Sequence, residues 1–179
     1  MRYRGRLASL VAAFVIQAGC CSLNSGRHYQ GDGRFAASTC WPLESYSLNF
    51  GAIDISTASR AVFQGYGLSP REWVVGLAIS SLGTTECLEL RHGDVGNTRV
   101  SLRLVDHSGE VWVELSDSLS EWAWTDATPE GTSCFVYSRR SCFEPPREMR
   151  FSLDLAVTEP SASQVEVSLW GRTTAAYSL

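Results

Sequence analysis

The chain has 179 residues, of which 19% are charged and 44% hydrophobic, with 15 Lys+Arg against 19 Asp+Glu. That composition suits one folded domain with a core of ordinary size and excludes a disordered or fibrous chain. Every cation is Arg; Arg2, Arg4 and Arg6 stand at the N-terminus, so the remainder holds 12 cations against 19 acids. So acidic a body excludes the basic footprint that nucleic-acid binding requires.

The first element in chain order is a leader. Leu7 to Ala18 is a largely apolar run of twelve residues, LASLVAAFVIQA, too short to cross a bilayer that needs about 20 such residues. Basic residues before it and the small Ala18 and Gly19 after it predict an export signal over residues 1–19. Ala18-Gly19-Cys20 resembles the lipobox of bacterial lipoproteins, and departs from it at Gln17, where that family carries an aliphatic residue. The resemblance implies cleavage before Cys20 and acylation of Cys20, which anchors the chain in a membrane once two or more acyl chains are attached. Cys21 stands where Asp commonly marks inner-membrane retention, so the resemblance favours the outer membrane, facing the periplasm. A secreted or soluble periplasmic protein is the alternative. Residues 20–40, rich in Gly, Ser and other polar types and without apolar periodicity, read as lipidation site and flexible tether with a reach of roughly 25 Å. His28 falls within it as a solvated residue.

Residues 41–179 read as one all-β domain. Tyr46, Leu48 and Phe50 alternate on one face; Gly51 shifts the phase, as a bulge does, and Ile53 and Ile55 continue on the other parity. Trp73, Val75, Leu77 and Ile79 form the next strand, and Cys87 to Arg91 a short further one before the loop His92 to Asn97. Val100, Leu102 and Leu104, then Asp106-His107-Ser108-Gly109, then Val111, Val113 and Leu115 spell a β-hairpin. Met149, Phe151, Leu153, Leu155 and Val157 alternate, and Val165, Val167 and Leu169 follow a turn at Glu159-Pro160-Ser161. About 9–10 short strands without a βαβ rhythm imply an antiparallel β-sandwich, similar to jelly-roll or immunoglobulin-like architectures.

Cysteines stand at 20, 21, 40, 87, 134 and 142, with no C-x-x-C pair and no zinc spacing, so disulfides in an oxidising compartment are expected. Cys134 and Cys142 bracket a polar stretch that reads as a turn and could bridge it; Cys40 and Cys87 then pair by elimination, with Cys21 left over.

No catalytic motif emerges. There is no G-x-S-x-G elbow, and the consecutive Asp106, His107 and Ser108 suit turn chemistry better than a triad. His92, Asp94 and Asn97 share a loop without the spacing of a calcium site. Neither metal nor cofactor is expected. The tryptophans are the remaining signal. Alternation points Trp112 outward beside Glu110 and Glu114, puts Trp122 and Trp124 on one face, and sets Trp170 opposite Val167 and Leu169, while Trp41 and Trp73 read as core. Exposed rings suit anchor residues of a protein interface or stacking on sugar rings. The expected function is a non-catalytic, membrane-anchored envelope module that binds a protein, as assembly partner or periplasmic inhibitor. The alternatives are a carbohydrate- or peptidoglycan-binding sandwich and, behind it, an envelope hydrolase.

Overall fold

A computed structural model describes residues 29–40, 43–81, 87–126, 133–146, 148–163 and 165–173; the leader, Cys20, Cys21, His28 and Trp41 lie outside them. In chain order the strands are β1 (Gln30–Gly31), β2 (Arg34–Cys40), β3 (Leu43–Ile53), β4 (Ser59–Tyr66), β5 (Trp73–Ser81), β6 (Arg99–Asp106), β7 (Val111–Ser118), β8 (Ala123–Asp126), β9 (Ser133–Phe143), β10 (Arg150–Glu159) and β11 (Val165–Thr173). Two short helices, α1 (Cys87–His92) and α2 (Asp94–Asn97), lie between β5 and β6, and a 3₁₀ turn (Leu119–Glu121) between β7 and β8.

The strands form two antiparallel sheets, ordered β1-β4-β10-β6-β7 and β2-β3-β11-β5-β9-β8. Their pairings nest. β6 pairs with β7 as a hairpin, β5 with β9, β4 with β10 and β3 with β11. Successive pairs alternate between the sheets, so the chain behaves as one long antiparallel ribbon rolled up on itself. That is the jelly-roll form of a β-sandwich.

Period-two hydropathy explains the core. In β10, Phe151, Leu153, Leu155 and Val157 are buried between the sheets; in β5, so are Trp73, Val75, Leu77 and Ile79. Each such side chain contributes about 1.5–3 kcal/mol by leaving water. The bulge at Gly51 is present: β11 pairs Leu169 with Gly51 but Trp170 with Asn49, and Gly51 has φ 122°, a value that favours glycine. The hairpin turn is built by Asp106, whose Oδ1 accepts from the Ser108 amide at 2.8 Å and hydroxyl at 2.6 Å and from the Glu110 amide at 3.0 Å.

Several expectations are corrected. The tether does not extend to residue 40. β1 joins the five-stranded sheet and β2 the six-stranded one, and Asp32 between them gives its amide to Gln64 O at 2.8 Å while accepting from the Gln64 amide at 2.7 Å. Residues 29–36 thus strap the two sheets together. Cys87 to Arg91 is helical, because Cys87 and Leu90, three apart, are the buried residues while Leu88 is 61% exposed. The stretch from Cys134 to Cys142 is strand β9 and no turn. Cys134 lies opposite Ile79 and Cys142 opposite Val74, five residues apart along β5 and so roughly 17 Å. That gap is far beyond the reach of a disulfide. Cys134 bonds Cys87 instead, with Cα atoms 5.7 Å apart, and Cys142 is a free thiol; the Cys40–Cys87 pairing is thereby corrected too. The Cys142 thiol is pushed above its ordinary value, first by burial and then by the charge of Glu72.

Candidate binding face

The outer face of the six-stranded sheet carries a cluster that belongs to neither the inter-sheet core nor the usual polar surface. In β9, Val136 points into the core, so Phe135 and Tyr137 point outward; in β5, Val75 and Leu77 point in, so Val74 and Gly76 lie outside. Val74 and Phe135 are nevertheless only 2% and 3% exposed, and neither belongs to the inter-sheet core. β11 completes the group with Trp170 and Arg172, both half-buried.

Register sets the geometry. Trp170 and Tyr137 both lie opposite Gly76, so one row across the sheet reads Trp170, Gly76, Tyr137. Strand spacing puts the two outer Cα atoms about 10 Å apart. The missing side chain at Gly76 makes room for the Phe135 ring, whose Cζ would stand 2.9 Å from a Cβ there. Phe135 stacks on Tyr137 with ring centroids 5.6 Å apart, and the Arg172 guanidinium lies over Phe135 at 3.8 Å. Burial lowers the Arg172 pKa from its ordinary value, and Tyr137 opposes that shift. The Trp170 indole Nε1 donates to Ser168 Oγ at 2.8 Å.

Of the four tryptophans expected on the surface, only Trp170 lies outside the inter-sheet packing. Trp122 is 2% exposed and part of the core. Trp124 pairs opposite core-facing Val136, packs against the core, and donates Nε1 to Leu119 O at 2.8 Å. Trp112 is displaced by a bulge: Leu104 lies opposite Val113 and Val105 opposite Val111, so Trp112 is the extra residue. One inserted residue reverses the facing of what precedes it. Trp112 therefore packs against the core while Val111, expected inside, is 41% exposed. Trp73, expected in the core, is there at 1% exposed. Phe135 and Tyr137 lie in the stretch from Cys134 to Cys142, whose polar residues suggest a turn; the alternation of Cys134 and Val136 with Phe135 and Tyr137 is the signal that marks it as a strand.

The opposite face, on the five-stranded sheet, differs in kind. A depression of about 540 Å³ there is lined by Arg60, Ser101, Arg103, Glu114, Ser116 and Asp154, among others. Its charges are matched: Arg60 forks onto Asp154 and Arg103 meets Glu114 at 3.5 Å. His92, Asp94 and Asn97 are in or beside α1 and α2, and among the described residues no three His, Cys, Asp or Glu side chains group as metal ligands would.

No protein-family model matches the chain, and no curated protein matches it. Among solved structures, a chain of "Structure of infectious bursal disease virus Gt strain" is similar at 11% identity and a TM-score of 0.27, over 87% of this chain and 34% of that one. A similarity so low carries no argument; the jelly roll rests on the strand pairings alone.

Proposed function

We propose that the chain is an exported, lipid-anchored module of the cell envelope that binds a protein partner through the outer face of its six-stranded sheet. The observation that carries this reading is the group of Trp170, Tyr137 and Arg172 around buried Phe135. Trp, Tyr and Arg are the side chains in which interface binding energy concentrates, because each offers a large apolar area with a polar or charged edge. The Cys87–Cys134 disulfide supports export, since such bonds persist in oxidising compartments.

The test is capture from envelope extracts by the full chain and by Trp170→Ala. Capture of the same protein by wild type, with at least a tenfold loss in a folded Trp170→Ala variant, supports the reading. Equal capture by both refutes this face as the interface. The second reading, sugar stacking, draws on the Trp170–Gly76–Tyr137 row. It predicts that neutral glycans shift the Trp170 fluorescence, and a flat response across a broad glycan panel would remove it.

A further inference from the structure

Arg172 is the unusual member of the outer cluster. Four other arginines, Arg60, Arg99, Arg103 and Arg140, meet carboxylates at Asp154, Glu159, Glu114 and Asp117. Arg60, Arg103 and Arg140 are exposed at the surface, where an ion pair adds little, and half-buried Arg99 has its carboxylate partner in Glu159. Arg172 is half-buried, yet among the described residues its guanidinium pairs with no carboxylate; it lies over the face of Phe135, 3.8 Å away, within electrostatic reach of the Tyr137 phenol. Its partners across the strands are Ser47 on β3 and Val74 on β5, neither charged.

A guanidinium uses its plane and its edge separately. The plane stacks on aromatic rings, while the five N–H groups donate within the plane, in a fork that matches a carboxylate. Phe135 takes the plane of Arg172 and leaves the donors unused. Partial burial has already removed part of the water that would satisfy them, so a carboxylate arriving there finds donors with little solvent left to displace. The flanking rings of Trp170 and Tyr137 exclude more water once a ligand is seated, which strengthens a charge-assisted hydrogen bond.

We infer that Arg172 is the anion anchor of the binding face, taking in a fork the side-chain carboxylate of an Asp or Glu on the partner while Trp170 and Tyr137 pack against the neighbouring residues of that partner. This rests on the outer face being the interface, as proposed above. It adds the chemistry of the partner: an acidic segment, where the −4 net charge of this chain would by itself favour a basic one. Specificity would come from one placed carboxylate, not from overall attraction.

The experiment uses the full chain, with NMR of the Arg172 Nε–H and Trp170 Nε1–H signals as readout. The probes are a hexaglutamate peptide, a hexaglutamine peptide of the same length, and a galacturonate hexasaccharide bearing the same carboxylate chemistry on sugar rings. The expected result is saturable shifts of both signals with hexaglutamate and none with hexaglutamine. Arg172→Gln should weaken binding at least tenfold, read from Trp170; Arg172→Lys, which keeps the charge and stands in should the Gln variant not fold, should also weaken it because its point charge lacks the fork. Equal shifts with hexaglutamine, or unchanged hexaglutamate affinity in Arg172→Lys, overturn the inference. Shifts with the hexasaccharide alone overturn the choice of an acidic peptide. Envelope capture that fails in Trp170→Ala but survives Arg172→Gln would sink the anchor while leaving the binding face standing; wild-type capture of nothing would sink the face itself.

Discussion

A methyl group added at Gly76 would stand 2.5 Å from Val136 O, 2.9 Å from Phe135 Cζ and 2.9 Å from Tyr137 Cβ. The first of these is backbone and cannot swing away. Gly76→Ala should therefore destabilise the fold by about 1–3 kcal/mol, the range of overpacking in a filled site, measurable as a lowered urea midpoint. Asp106 makes a prediction about acid. Its pKa is held below the ordinary carboxylate value, first by the Ser108 hydroxyl, with the Glu110 and Ser108 amides adding to it. A folded-state pKa below the unfolded one means the stabilisation is complete above about pH 4, the unfolded value, and fades as pH falls through the lower folded value. Wild type should thus exceed Asp106→Ala in urea midpoint at pH 7, and the gap should narrow as the pH falls below 4. A gap that widened in acid would contradict the assignment.

At the level of elements, the Cys87–Cys134 bond ties α1 to the start of β9 across a separation of 47 residues. Closing a loop of that length in the unfolded chain corresponds to about 4 kcal/mol in the chain-entropy picture. A Cys87→Ala/Cys134→Ala double variant should lose roughly 2–4 kcal/mol in guanidinium unfolding, with circular dichroism still that of a β protein. The same region marks the border of what the sequence disclosed. β10 was legible because its alternation runs unbroken and its neighbours are straight: Phe151, Leu153, Leu155 and Val157 are all buried. The Gly51 bulge was legible because the phase shift and the glycine coincide. Cys87-Leu88-Glu89-Leu90 fits a two-residue or a three-residue period equally well, and burial at the end of the sandwich decided for helix. Trp112 could not be placed without its partner strand, since the bulge that turns it inward exists only as a mismatch against β6. The choice between the two sandwich types was equally hidden, because it lies in which distant strands pair. The outer cluster needed both kinds of knowledge: the strand identity of β9 and the row that brings Trp170 and Tyr137 to either side of Gly76.

For the molecule as a whole, nesting has a kinetic signature. The inner hairpin β6–β7 closes over a few residues, whereas β3 and β11 meet across more than half the chain. Folds dominated by such distant pairings fold in milliseconds to seconds. Stopped-flow refolding should fall in that range. Val113→Ala, in the hairpin, should mainly slow folding, and Leu48→Ala, on the outermost pair, should mainly speed unfolding; the reverse pattern would mean that the roll closes from its ends. The N-terminal strap adds a mechanical trait. A pull on residue 29 reaches the two pairs of β1 and the double link between Asp32 and Gln64 before it reaches any strand of the nested roll. Stretched from its amino end, the protein should yield in two stages. Peeling residues 29–40 would release about 40 Å of extended chain before the nested strands give way.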